Sequence, residues 1–238
     1  MKILSIESST SSASCAILEE DRLLGEVNLN GKKQHSVILM HLIDNLLKDL
    51  KLSLDDIDAF AVSSGPGSFT GLRIGMATAK GLASATNKPF IGVSSLDALA
   101  FNLAYTDGIV CPIIDALRDN VYTALYSFKN GKLERLTDYM AIHIDDLIST
   151  IKNGNYDSVS FVGDAIPKFK EKLSSSFEKV NFAPNNVNLA RASSLGELGL
   201  SRIKEGLADD PLTFAPIYLR KSQAEREYEE KMGTQKNA

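Results

Sequence analysis

Residues 65 to 81 read Gly-Pro-Gly-Ser-Phe-Thr-Gly-Leu-Arg-Ile-Gly-Met-Ala-Thr-Ala-Lys-Gly. They follow an apolar run, Ala59 to Val62, and open a helix-like segment. A strand, a glycine turn and a helix start in that order leave backbone N–H groups free to cradle an anion. The familiar nucleotide fingerprints do not fit, however. Gly65, Gly67 and Gly71 are spaced one residue too widely for the dinucleotide pattern, and no Gly-Lys-Ser/Thr follows for a P-loop. The glycines inside the helix, each costing roughly 1 kcal/mol against alanine, read as close packing on neighbouring elements. Two acids, Glu7 and Asp115, end apolar strand-like runs. Facing each other across a cleft they would suit a nucleotide and its metal; otherwise they cap turns. Of the three histidines, His35 and His41 lie about 120° apart around one helix and cannot chelate as a helical pair. There is no His-Glu-x-x-His and no Gly-x-Ser-x-Gly.

The whole chain sets the bounds. With 238 residues it makes one large or two modest domains. Its hydrophobic and charged fractions, 44% and 24%, are those of an ordinary globular protein. A net charge of −4 argues against a protein that binds nucleic acid by itself. Cys15 and Cys111 sit in apolar runs and read as buried thiols rather than a disulfide. Neither a signal-like leader nor a membrane-length apolar run is visible, so a cytoplasmic protein without membrane contact is expected.

The elements repeat an order. Strands at 2–6, 13–18 and 23–29 precede a helix at 34–51, a strand at 58–63, a helix at 70–86, a strand at 90–93 and a helix from Ser95. A second round begins near Ile109, with strands at 110–116 and 121–128 and an Asn130-Gly131 hairpin turn. Helices at about 145–152, 166–175 and 194–204 and a strand at 159–162 complete it. The expected fold is α/β with two lobes, each a mixed sheet with helices. Residues 1–105 form the N-terminal lobe carrying the association helices, 106–220 the C-terminal lobe, and 221–238 a polar tail.

The helix at 34–51 is apolar over roughly 200° of its girth, where one core contact needs ~100°. Coverage of Leu39, Leu42, Ile43, Leu46, Leu47 and Leu50 by another chain is the favoured explanation. Beside it the small-residue helix, with Gly71, Arg73, Gly75, Thr78 and Lys80, completes the expected interface.

Five segments together resemble the TsaB family: Ile6-Glu7-Ser8-Ser9-Thr10, Gln34-His35-Ser36, Gly65 to Gly81, Asp115-Ala116-Leu117-Arg118 and Pro216-Ile217-Tyr218-Leu219-Arg220. The resemblance runs from residue 2 to about 225. It implies the fold of the actin, Hsp70 and acetate kinase superfamily, which is ribonuclease H-like. It also implies a non-catalytic partner subunit in forming threonylcarbamoyladenosine beside the anticodon of tRNAs. The catalytic relative TsaD would transfer threonylcarbamoyl from its adenylate to adenosine N6, TsaE would supply ATPase activity, and the chain alone would form a homodimer. tRNA would be met only through the complex. No cofactor of its own is implied; ATP or ADP within the complex is compatible, with Glu7, Ser9, Asp115 and Gly163 as the cleft candidates. The metal-binding histidine pair of TsaD is replaced by Ser95 and Leu99, so neither a metal nor a catalytic residue is expected. Glu7 in place of aspartate, Ser11 to Ser14 in place of glycines, and the shortened Gly163-Asp164 depart from nucleotide-binding relatives. Two other readings have less support. A metallopeptidase or phosphotransferase would need Glu7 and Asp115 to organise chemistry. A free-standing tRNA-binding module would rest on Lys32, Lys33 and Arg118 alone.

Overall fold

The computed structural model describes residues 1–31 and 35–220. Lys32, Lys33, Gln34 and the 221–238 tail lie outside the described residues.

The first sheet is built from β1 (Lys2–Glu7), β2 (Ser12–Glu19), β3 (Arg22–Asn30), β4 (Ala59–Gly65) and β5 (Phe90–Ser94). Their order is β3-β2-β1-β4-β5, antiparallel through the first three strands and parallel from β1 to β5. β1, β2 and β4 are buried along nearly their whole length, small serines included, because both faces of this sheet are covered. On one face lie α1 (His35–Asp49) and α2 (Phe69–Thr86), packed on Leu4, Ile6, Cys15, Ile17, Phe60 and Val62. The opposite face, with Ile3, Ala16, Leu18, Ala61 and Val93, takes α6 (Ala192–Lys204) and part of α3 (Ser95–Phe101).

The second sheet follows the path β10 (Met140–His143), β7 (Asn120–Thr123), β6 (Ile109–Asp115), β11 (Val159–Val162) and β12 (Val180–Phe182). A hairpin of β8 (Tyr126–Lys129) and β9 (Lys132–Arg135) hangs from β6. Its turn holds Asn130 at φ 52° and Gly131 at φ 76°, the left-handed pair that Asn-Gly favours. Alternation along β6 divides the lobe. Cys111 and Ile113 face α4 (Ile144–Asn153) and α5 (Ile166–Ser176), while Val110 and Ile114 face α3 and the other lobe. α3 is the wedge between the lobes: Leu96, Leu99 and Ala100 enter the second lobe's core, and Ala98 enters the first's.

Two expectations need correcting here. The strand expected over 121–128 is broken at Ala124-Leu125 into β7 and β8, which pair with different stretches of β6. The boundary at 106 does not hold for the end of the chain. α6, expected in the C-terminal lobe, returns to the first sheet because its Ala192, Leu195, Gly196, Gly199, Leu200 and Ile203 face is shaped for that sheet. A side chain at Gly196 would overlap Leu18, so the glycine allows the close approach. Burial also holds for Cys15 and Cys111, whose thiols are pushed up to about 12 by desolvation.

Candidate functional site

The glycine segment is a close-packed joint. Ser68 caps α2, its side chain accepting from Gly71 N at 3.2 Å. A Cβ at Gly71 or Gly75 would overlap Ser8, and one at Gly67 would overlap Ser9. α2 is thereby pressed directly onto the turn that follows β1, and the Ser8 hydroxyl donates to Gly71 O at 2.9 Å. Some N–H groups are used within the joint: Ser68 N goes to Ser9 O at 2.7 Å and Ser9 N to Glu7 Oε1 at 2.7 Å.

Beneath it Glu7 is fully buried. Burial pushes its carboxyl above the usual range, against the opposing hydrogen bond from Ser9. Among the described residues its Oε2 and the Ser9 hydroxyl are buried without a hydrogen-bond partner. A carboxyl whose folded pKa is raised loses stability as pH climbs from the unfolded value, near ~4.5, through the folded one. Glu7→Gln is therefore expected to stabilise the fold by about 1 kcal/mol at pH 7.5. At pH 4, where both states are protonated, the two proteins should unfold together. Thermal unfolding at the two pH values checks this, and a less stable variant at pH 7.5 would refute it.

Across the lobes, Asp115 has its counter-charge in place: Lys168 Nζ lies 3.7 Å from Asp115 Oδ1 and 3.1 Å from Asp119. The Asp115 carboxylate also accepts from Leu117 N at 3.0 Å, which is the turn-capping role. Asp164, whose carboxyl burial pushes up, accepts from Asp115 N at 3.0 Å. Gly163, at φ 130°, sits where a Cβ would overlap the Ile113 carbonyl, and its N–H donates to Asn188 at 2.6 Å. Among the described residues no group of three His, Cys, Asp or Glu side chains is placed to hold a metal. Ser95 and Leu99 are both buried in α3.

The expected docking face is corrected most. Leu39, Leu42, Ile43, Leu46 and Leu47 are buried in the first lobe's own core, and Leu50 packs against it. The physical reason is a groove: α1 lies between the β2–β3 face and α2, so one lobe covers it on two sides. Gly71 and Gly75 point inward as well. What α1 turns outward is Val37, 70% exposed, and Met40, 51% exposed, beside His41 and Asp44. α2 adds exposed Arg73, Ala77, Gly81, Ser84 and Ala85, while Thr78 and Lys80 are half-buried. Thr78 Oγ1 donates to Ile74 O at 2.9 Å and Lys80 Nζ to Phe214 O at 2.6 Å. The exposed face is thus two adjoining helices with an apolar patch on one and small residues on the other. Period-3.6 analysis gave the whole apolar arc but not which part its own lobe would cover.

One buried polar group escaped the sequence reading. Glu26, on β3, is clamped by Arg191 at the start of α6, with Arg191 Nε 3.1 Å from Oε2 and Ser193 N 2.9 Å from Oε1. Burial alone would raise this carboxyl, but Arg191 and Ser193 hold it below the usual glutamate range. A single Glu in an alternating strand gave no signal of a partner 165 residues away.

A family model described as TsaD, tRNA N6-adenosine threonylcarbamoyltransferase, matches residues 22–228. A Bacillus subtilis protein named tRNA threonylcarbamoyladenosine biosynthesis protein TsaB is 36% identical over 96% of this chain and 98% of its own length. A solved Pseudomonas aeruginosa structure, described as similar to the peptidase YeaZ, superposes with TM-score 0.77 at 24% identity, covering 92% of this chain and 99% of that one. The Clostridium difficile activator of 2-hydroxyisocaproyl-CoA dehydratase, solved with bound ADPNP, reaches 0.52 at 9% identity over 87% of this chain and 97% of its own. The two-lobed α/β fold is common ground with these structures. By the match along nearly its entire length, the chain belongs to the TsaB family.

Proposed function

We propose that this chain is a partner subunit in forming threonylcarbamoyladenosine on tRNA, working by protein–protein contact with TsaD and TsaE and supplying no catalytic group. The name of its full-length Bacillus relative supports the pathway. The observation that carries the subunit reading is the outward face of α1, where Val37 and Met40 stand exposed next to the small-residue stripe of α2. Exposed apolar side chains in one patch beside a low-relief helix suit a second helix pair, from TsaD or from another copy of this chain. The cleft supports the same reading from the other side. Three of its N–H groups go to Ser9, Glu7 and Ser68, and Asp115 is engaged by Lys168, contacts that suit a subunit working without a nucleotide of its own. tRNA is reached through the complex, in keeping with the net charge of −4.

The test is Val37→Glu with Met40→Glu. Both positions are solvent-facing, so the thermal midpoint should stay within about 2 °C, each surface change being worth under ~0.5 kcal/mol. Co-purification with TsaD should fall at least tenfold, on the order of 1.4 kcal/mol or more. Undiminished capture of TsaD by the folded double variant would overturn the docking face.

A further inference from the structure

The Pro216–Arg220 motif takes no part in the outward α1 patch, yet it touches two other sequence motifs, the glycine segment and the 115–118 turn. After α6 the chain turns back along the open edge of the first sheet. Asp209 N donates to Phe90 O at 2.7 Å, and the Phe214 ring lies over Gly92, where any side chain would collide with it. Ile217 N then donates to Ser64 O at 2.7 Å, beside the glycine loop. Tyr218 stacks on Phe69, centroids 4.4 Å apart and planes 3° from parallel, and its hydroxyl accepts from Arg73 Nε at 3.0 Å. Every one of these contacts is with the first lobe. The next two residues cross over. Leu219 packs into the interlobe apolar cluster with Leu96 and Ile114, and the Arg220 guanidinium donates to the Ala116 carbonyl.

Ala116 opens an unusual turn. Leu117, Arg118 and Asp119 are consecutive non-glycine residues at φ 64°, 51° and 57°. Such a run persists only where its surroundings fix it. The second lobe supplies some restraints: Asn120 Nδ2 donates to the Leu117 and Arg118 carbonyls, and Lys168 holds Asp119. Arg220 supplies one from the first lobe's side.

We propose that residues 207–220 are a latch that fixes the angle between the lobes, making α2 and the 116–119 turn move as one body. Both long α2 cations are used in the fastening, Arg73 on Tyr218 and Lys80 on the Phe214 carbonyl. A partner seated on α2 would then bear on the cleft through the strap; that consequence alone rests on the docking reading above.

Amide hydrogen exchange on the isolated full-length chain tests the latch without any partner. In the Tyr218→Ala/Arg220→Ala variant, exchange over residues 113–123 and 95–102 should rise at least about tenfold, while α1 and α5 keep their protection. Arg220→Ala alone, which leaves the stack on Phe69 intact, should give the same pattern at about threefold. No change at the turn overturns the latch. So does a uniform rise across both lobes, which would mark the strap as ordinary stabilising packing. Loss of TsaD capture in a variant with unchanged exchange would count for docking and against the latch.

Discussion

Leu39→Asp is expected to abolish cooperative folding of the isolated chain. Leu39 is 1% exposed, within a cluster that includes Leu4, Ile17, Phe60 and Val62. Removing the side chain alone costs about 2–5 kcal/mol for a buried leucine. An aspartate adds the cost of an uncompensated carboxyl, about 1–3 kcal/mol even when it is protonated. Against a total stability of about 5–15 kcal/mol, the sum removes most or all of it. Far-UV circular dichroism on heating would show no sharp transition, or one lowered by more than about 15 °C. A variant that melts within a few degrees of the wild type, yet fails to associate, would return Leu39 to the surface and undo the packing described for α1. The contrast with Val37 and Met40 on the same helix is the point: the exposed apolar patch and the core are separated by about a third of a turn.

The second large effect is expected from Arg191→Ala. It strands Glu26, whose side chain is 6% exposed, between β3 and α6 without its counter-charge. Breaking a buried pair in this way costs about 3 kcal/mol, the low end of the usual range because Arg191 keeps an edge in water. The pH dependence carries the diagnosis. In the wild type Glu26 is held below the usual range, so its contribution is present above the unfolded pKa and fades as pH falls through the folded value. In the variant only Ser193 still opposes burial, the folded pKa moves up from its wild-type position, and the stabilisation that ionised Glu26 contributes toward neutral pH is lost. The gap between the two proteins should be widest near neutrality and close toward pH 4. Urea unfolding at pH 4.5 and 7.5 measures it; a gap independent of pH would mean that the loss is packing, not charge. Replacing both partners, Glu26→Leu with Arg191→Met, is expected to restore most of the stability, since neither charge is then left alone.

Much was legible in the residues because it depends on local periodicity. The strands 59–65 and 109–115, the α2 helix, the Asn130-Gly131 hairpin and the burial of both cysteines follow from alternation, turn chemistry and apolar runs within a few residues of each other. Tight packing by the α2 glycines was also readable, since glycine inside a helix needs a reason. Three things belonged to the tertiary structure alone. Which flank of α1 is core was set by the groove between the sheet and α2, a matter of how two non-adjacent elements cross. The return of α6 to the first sheet and its Glu26–Arg191 clamp join residues far apart in the chain, and no local pattern records such a partner. The packing of the glycine loop was decided by proximity: Gly67 and Gly71 close onto Ser9 and Ser8, and that contact uses N–H groups of Ser68, Ser9 and Gly71 within the joint. Sequence determines what each segment can pair with; only the folded arrangement determines what stays exposed, and on α1 that is Val37 and Met40 rather than the leucines of the same apolar arc.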